Sequence, residues 1–575
     1  MSAFGVTRVK TGGTAILRRA LVRNRARLGI GTVLVCAHQV AETLVPISIG
    51  VIVDRAVATG DVYALSVWLC VLAFLFLVLT VSWRYGARFV VVAMQNEAHQ
   101  LRMEVAHRIL DPRGVRTDLR AGELLSVSTS DADRAAWIAD IAPRAAAALT
   151  AAIGSAIALL VIDVPLGLVV LVGTPLILGL LQLAAPLITR RATDQQAAVA
   201  RASAMATDLV SGLRPLRGIG AERSASQRYR TASREALGAT LHTAKSSAVF
   251  AGVSMTVSAL LAVGVAGVAG WFALEGRITI GELITVVGLS QFFIEPLGVL
   301  AGLPGFLALA RASADRLALI LDARPMLPIG SGHALDGSEL SLTGVSYRSL
   351  RAVDLQVVPG ELLGIVAYRP QDAEALAALL SGQIPPDCYD GELTVGGVRL
   401  SDADLAQARR ALLVEPHNGD LFSGTLASNV TAGRPDAMPS EVRAALTASA
   451  AIDVVEAHPE GLDREVADRG SSLSGGQRQR VALARALVAR SPVMVLHDPT
   501  TAVDAVTEHA IARGIADLRH RDIATRQTTI LITSSPALLF VTDRVVVLDV
   551  GAVVAEGVHA QLTTENANYR RVVLR

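Results

Sequence analysis

Two stretches of this chain have residue types suited to a polyphosphate, and they disagree. LSGGQRQRVALARAL, Leu473 to Leu487, opens an amphipathic helix with a serine and paired glycines. Backbone N–H groups and the positive end of the helix dipole can there meet an anion at close range. GIVAYRPQDAEALAALL, Gly364 to Leu380, has the outline of a strand, a tight loop and a helix. Nucleotide-binding domains commonly place a glycine-rich phosphate cradle at such a junction, with a lysine on the β and γ phosphates and a hydroxyl on magnesium. Here the junction reads Ala-Tyr-Arg-Pro-Gln-Asp-Ala-Glu, and the only lysines anywhere are Lys10 and Lys245.

The chain that must position these stretches has 575 residues, too many for one core, so two or more domains are expected. Hydrophobic residues make up 52 % and charged residues 18 %, with a mean hydropathy of +0.47. That balance demands a membrane-embedded portion. The net charge of +2 gives no footprint for nucleic acid. Cys36, Cys70 and Cys388 lie far apart and form neither a disulfide framework nor a metal cluster, and no metal site is expected from the residues.

Residues 1–27 carry Arg8, Lys10, Arg18, Arg19, Arg23, Arg25 and Arg27 with no carboxylate, and read as a cytoplasmic segment without a removable signal peptide. Six apolar stretches follow, at about 28–53, 63–93, 139–162, 165–187, 247–274 and 280–311. Each is long enough to cross ~30 Å of hydrocarbon as a helix. The connections at about 94–138 and 188–246 are long, polar and arginine-containing, which places them in the cytoplasm as hairpins. Residues 28–324 are therefore expected to form a transmembrane domain. Residues 325–338 are rich in Pro, Gly and Ser and read as a linker. From 339 to 575, strand-like runs such as PVMVLHD, TTILITS and DRVVVLD alternate with helical ones, the pattern of an α/β domain.

LSGGQ followed by a helix and then by PVMVLHDPTTAVDA resembles the ATP-binding cassette (ABC) transporters, specifically the half-transporters with the exporter-type fold. The resemblance covers nearly the whole chain: an α-helical membrane domain of six transmembrane helices, then an α/β P-loop nucleotide-binding domain. RAGELLSVSTSDADR and DLVSGLRPLRGIGAERSASQRY resemble the two cytoplasmic hairpins whose coupling helices dock onto nucleotide-binding domains. Thr501-Ala502-Val503-Asp504 looks like the D-loop, placing Asp504 at a subunit interface.

Against the family pattern the cradle is degenerate. Its matching positions are Ala367, Asp372, Ala373 and Glu374, with Ala373 at the lysine's place. Asp372 and Glu374 are expected to face polyphosphate with like charge, and two unit charges about 4 Å apart interact by on the order of 4 kcal/mol at an effective dielectric near 20. His497 stands for the magnesium-supporting aspartate, Asp498 for the catalytic glutamate, His417 for the glutamine-loop residue and Ser534 for the switch histidine. No catalytic position is intact, so the chain alone is expected to be inactive. Tyr347 is the candidate for adenine stacking, with an ordinary strand residue as the alternative.

In this family each ATP lies between the P-loop of one domain and the signature of another. The resemblance therefore implies that Ser474, Gly475, Gly476 and Gln477 serve a nucleotide held by a second half-transporter with intact Walker A and B motifs. ATP and Mg2+ would occupy that composite site, with Mg2+ held by the partner. The cargo would be a small molecule, lipid or peptide, exported from a bacterial cytoplasmic membrane with the nucleotide-binding domain in the cytoplasm. An exporter-fold importer resembling siderophore transporters, and a membrane regulatory or scaffold protein that moves nothing, remain as alternatives. His38 and Glu42, and Gln291 and Glu295, are i, i+4 pairs inside the first and sixth apolar stretches. They read either as a cargo pocket or as helix–helix hydrogen bonding across the subunit interface.

Overall fold

The computed structural model describes residues 12–574 except 183–184, 331, 334, 336, 418 and 523–525. Arg8 and Lys10 of the cationic N-terminal segment lie outside the described residues. The chain divides into two compact units, one of residues up to 107 with 118–322, the other of 108–117 with 323–575.

The first unit is helical. α1 (Gly13–Arg23) and α2 (Arg25–Ile52) lead into α3 (Val62–Ile109), α4 (Ile138–Ile162), α5 (Val164–Gln182), α6 (Ala185–Ser211), α7 (Leu213–Gly218), α8 (Glu222–Leu274) and α9 (Ile280–Leu321). The expected stretches at about 28–53, 63–93, 139–162, 247–274 and 280–311 follow α2, α3, α4, α8 and α9, whereas the one at 165–187 runs from α5 into the start of α6 and includes residues 183–184, outside the described residues; the helical runs Val62–Ile109, Ala121–Ile162, Glu222–Leu274 and Ile280–Leu321 are long and apolar enough to cross a membrane. With 53 residues, α8 is about 80 Å long, far more than the hydrocarbon requires. α3 and α8 thus run on past their apolar portions into the polar hairpins.

Glycine sets the approach of α2 to α9. A Cβ on Gly281 would lie 2.1 Å from the Gly50 carbonyl oxygen, and one on Gly50 would lie 2.3 Å from that of Gly281. In lipid, where apolar side chains gain little by leaving the solvent, close backbone packing of this kind carries helix association. Asp54 fixes the same crossing by accepting from the Gly281 N–H at 2.8 Å, while Thr279 and Glu282 form a capping box at the start of α9. Gly281→Val should lower stability by about 1–3 kcal/mol through overpacking. Gly298→Val, where a Cβ meets open space, should melt as the parent does in detergent; equal behaviour of the two variants would refute the account.

The second unit is built on a six-stranded sheet and a four-stranded one. The elements that frame the site are β1 (Leu340–Tyr347), β2 (Leu350–Val357), β3 (Leu362–Ala367), α10 (Pro370–Leu380), β4 (Asp390–Val395), β5 (Val398–Arg399), β6 (Leu412–Glu415), α11 (Gly475–Ala489), β7 (Val493–His497), α12 (Ala505–His520), β8 (Thr528–Ile532), β9 (Arg544–Asp549) and β10 (Ala552–Gly557), with further short helices and a two-stranded sheet between and after them. The larger sheet runs β10-β9-β3-β8-β7-β6, parallel throughout except for the antiparallel edge strand β10. β7 and β8 are buried along their whole length, as a sheet covered on both faces requires. The smaller sheet, β2-β1-β4-β5, is antiparallel.

Residues 108–117 join this unit through backbone pairing. The Arg116 N–H donates to Arg324 O at 3.0 Å and the Leu327 N–H to Arg113 O at 2.9 Å, and Arg116 pairs with Asp387 at 2.9 Å. The expected linker therefore starts inside a paired segment, since Val115 and Pro325 form an isolated β-bridge.

Candidate nucleotide site

The carboxyl ends of β3, β6, β7 and β8 open onto one cleft of about 730 Å3, where ligands of open α/β sheets bind. β3 delivers Ala367, β7 ends at His497 followed by Asp498, the turn after β6 carries His417, and Thr533 and Ser534 follow β8. Ala373 and Glu374 enter from α10. The expected degenerate positions Ala367, Ala373, Glu374, His417, His497, Asp498 and Ser534 are thus brought together.

Asp372 is the exception, and it corrects the expectation that it faces a phosphate. Its side chain is fully buried and turned away from the cleft, with Oδ2 accepting from the Gly551 N–H at 3.0 Å. Only Tyr368 and Arg369 separate β3 from α10, which starts at Pro370. Pro370 has no N–H to give, and that of Asp372 is bonded to Arg369 O at 3.0 Å. The backbone that would wrap a phosphate is wound into a helical turn instead, which removes the Pro370 donor and turns that of Asp372 onto Arg369 O.

The turn between β9 and β10 locks this arrangement. Gly551 has φ +79°, and a Cβ there would stand 1.9 Å from Ser349 O. Its carbonyl accepts from the Arg351 N–H at 2.8 Å, while the Ser349 hydroxyl donates to Gln371 O at 3.1 Å. Sequence reasoning passed over Gly551 and Ser349. A glycine between two strand-like runs was the available signal, but nothing local said which carboxylate it would meet.

Tyr347 also departs from its proposed role. It is 9 % exposed and packs in the core shared by the antiparallel sheet and α10, with the Arg348 guanidinium 5.2 Å from its ring centroid. The alternative stated above, an ordinary strand residue, matches this placement.

Inside the cleft, Asp498 has φ +46° and its N–H donates to Ile532 O at 2.9 Å. Its Oδ2 stands 4.0 Å from His417 Nδ1 and 4.0 Å from His497 Nε2. The two imidazole rings are 5.8 Å apart between centroids. Burial holds the His497 pKa below the ordinary histidine value, aided by His417 and opposed by Asp498 and Glu374. That shift favours the neutral imidazole. The His417 turn is itself anchored: Arg485 of α11 pairs with Glu415 at 2.8 Å and donates to Asp420 O at 2.8 Å.

The signature residues do not line this cleft. Ser474 caps α11, its Oγ accepting from the Gln477 N–H at 3.2 Å while the Gln477 side chain accepts from the Ser474 N–H at 3.0 Å. Gly476 packs against the next loop, where a Cβ would come within 2.5 Å of Ala502 O. Gln479 ties the two elements together, donating to Thr501 Oγ1 at 2.7 Å and accepting from the Ala502 N–H at 2.9 Å. Asp504 caps α12, accepting from the Val506 and Thr507 N–H groups at 3.1 and 3.0 Å. The Thr507 backbone bond leads the interactions that hold the Asp504 carboxyl below its usual pKa. Ser474 and Gly475 remain exposed at the helix start.

In the helical unit, His38 is engaged within the chain. Its Nδ1 donates to Leu79 O at 2.9 Å, its ring lies 5.2 Å from that of Trp83, and Nε2 is 3.6 Å from Glu42. Gln39 donates to Glu42 at 2.9 Å. Gln291 and Glu295 are exposed on α9. Among the described residues no hydrogen bond or ion pair joins the two pairs.

Residues 28–297 match the family model for the ABC transporter transmembrane region, and residues 350–501 match the ABC transporter model. The chain is 31 % identical over 576 residues to the multidrug efflux ATP-binding/permease protein Rv0194 of Mycobacterium tuberculosis, covering 96 % of this chain and 46 % of that protein. It therefore spans about half the length of that relative. It is 30 % identical over 450 residues to the mycobactin import ATP-binding/permease protein IrtB of Mycolicibacterium thermoresistibile, covering 74 % of this chain and 73 % of that one. A solved bacterial Atm1-family ABC exporter with ATP bound superposes with a TM-score of 0.74 at 22 % identity over 98 % of both chains, which establishes the fold.

Proposed function

This chain belongs to the ABC transporters and has their exporter-type fold, an integral membrane domain followed by an α/β nucleotide-binding domain; from that premise we propose that it is the catalytically degenerate half of a heterodimer. One observation carries the reading. Ser474 and Gly475 stand exposed at a well-capped helix start, whereas the chain's own cradle has Ala373 at the lysine's place, no N–H at Pro370, and the Asp372 N–H bonded to Arg369 O.

On this reading ATP and Mg2+ bind where the partner's intact P-loop meets Ser474, Gly475, Gly476 and Gln477. The partner's carboxylates hold the Mg2+. Binding closes the two cytoplasmic domains, shifts the membrane helices, and hydrolysis resets them. The cargo is a small molecule, lipid or peptide moved outward, in keeping with similarity to a multidrug efflux protein and to a lipid A-core flippase of Chromobacterium violaceum, 28 % identical over 335 residues. The likeness to a mycobactin importer motivates the second reading, inward transport on the same scaffold. Cargo uptake into vesicles of defined sidedness separates the two.

The catalytic test uses the purified chain with and without its partner. Alone, it should hydrolyse ATP at background rate. Paired, turnover should vanish when the partner's catalytic glutamate is replaced, while Asp498→Glu in this chain should add no second active site. Sustained hydrolysis by the lone chain would falsify the proposal.

A further inference from the structure

Five arginines stand between residues 12 and 27, with no carboxylate among them in sequence, and the structure sorts them into two groups. Arg19 and Arg23 turn onto α3. Both pair with Glu104, Arg23 at 2.9 Å, and Arg23 also lies 3.5 Å from the buried Glu97. Arg18, Arg25 and Arg27 are exposed, and among the described residues no hydrogen bond or ion pair meets any of them.

The platform that carries these three is fixed without them. α1 buries Ile16, Leu17 and Ala20, and the Gly13 N–H donates to Asp315 of α9 at 3.1 Å. Asn24, at the joint between α1 and α2, donates to Glu97 at 2.8 Å and to Ala20 O at 3.0 Å. The outward charges are therefore not spent on the fold.

Their depth is set by α2. The match to the family's transmembrane region begins at residue 28. Arg27 stands one turn before the exposed Ile30, with the exposed Val33 one turn further on, and Val22 is exposed one turn after Arg18. Cations and bare apolar side chains thus share the boundary where an apolar helix begins, the level at which headgroups meet hydrocarbon. Arginine stems can lie along that apolar zone while the guanidinium groups reach phosphate oxygens. The excess of arginine puts this end of α2 in the cytoplasm, and the leaflet on that side attracts juxtamembrane cations when it holds anionic lipid.

We infer that the joint between α1 and α2 is a docking surface for anionic phospholipid of the cytoplasmic leaflet. The headgroup phosphate meets Arg18, Arg25 and Arg27, and the acyl chains lie along Val22, Ile30 and Val33. Each cation beside an anionic surface strengthens the attraction by about fivefold. The surface needs neither nucleotide nor a second subunit, so it stands or falls apart from the heterodimer reading.

The test melts the full-length chain in neutral dodecyl maltoside micelles doped with dioleoylphosphatidylglycerol or with dioleoylphosphatidylcholine, and in a third series with inorganic phosphate at matched ionic strength. Phosphatidylglycerol should raise the melting midpoint saturably; phosphatidylcholine and phosphate should not. Arg18→Gln/Arg25→Gln/Arg27→Gln should need about tenfold more phosphatidylglycerol for the same rise, and a parental midpoint with phosphatidylcholine would certify its fold. Arg18→Lys/Arg25→Lys/Arg27→Lys should keep most of the response, because the charges remain. Arg201→Gln/Arg230→Gln/Arg234→Gln removes the same charge from exposed positions on α6 and α8 and should respond as the parent does. Equal responses to the two lipids, equal losses in the two glutamine variants, or a rise with phosphate alone would each overturn the inference.

Discussion

Replacing Arg485 by methionine should destabilise the nucleotide-binding domain by about 3–5 kcal/mol, lowering its thermal midpoint by about 10 °C for a domain of this size. Arg485 and Glu415 are both largely buried, with side chains 15 % and 12 % exposed. Burial raises the Glu415 pKa above its ordinary 4.5, and the guanidinium only partly opposes that rise. Removing the arginine leaves a charged carboxylate in the interior without its partner, and Asp420 O loses a donor as well. The pair as a whole contributes far less than this loss suggests, because desolvation consumes most of the attraction. Arg485→Met combined with Glu415→Leu should therefore recover most of the midpoint.

The sign of the pH dependence follows from the same shift. A carboxyl whose folded pKa is raised favours folding below its unfolded pKa and loses that contribution as pH rises through the folded value. The deficit of Arg485→Met should accordingly be larger at pH 8 than at pH 5. A deficit that does not change with pH would mean that lost packing of the arginine stem, not charge, is responsible.

The second large effect tests the composite site we propose. If the chain works as half of a heterodimer, Gly475→Asp should reduce ATP turnover of that assembly by about a thousandfold. A carboxylate about 4 Å from a triphosphate costs on the order of 4 kcal/mol at an effective dielectric near 20, and each 1.4 kcal/mol is about a factor of ten. Position 475 is the right probe because it is exposed, and a Cβ there makes only an ordinary 3.6 Å contact with the Ala502 side chain. The isolated chain should fold and melt as the parent does. Gly476→Asp is a poorer probe, since its Cβ would stand 2.5 Å from Ala502 O and alter the loop before any nucleotide arrives. Undiminished turnover in the Gly475→Asp heterodimer would remove the signature from the active site.

Much of this molecule was legible in the sequence because the relevant physics is local or compositional. Apolar stretches long enough to span hydrocarbon must be helical to satisfy their backbone. The buried parallel strands β7 and β8 announce themselves as short apolar runs. The absence of lysine after Lys245 was decisive for the cradle, because a missing residue type cannot be supplied by folding. The intact signature was equally plain, since Ser474 and its glycines act through the first turn of their own helix.

Tertiary structure decided where the side chains point. Asp372 and Glu374 are two residues apart at the start of one helix, yet the first is buried against Gly551 and the second opens into the cleft. Consecutive helical positions turn by roughly 100°, so two neighbours with the same charge can face a core and a solvent channel. Tyr347 looked available for stacking until the packing of β1 buried it. His417, His497 and Glu374 come from distant parts of the chain, and only the parallel order of β3, β8, β7 and β6 places them around one opening. The sequence by itself determined that this domain lacks the lysine to grip a phosphate; the fold decided that its remaining acids and imidazoles would meet, because proximity across strands belongs to the sheet and not to the chain.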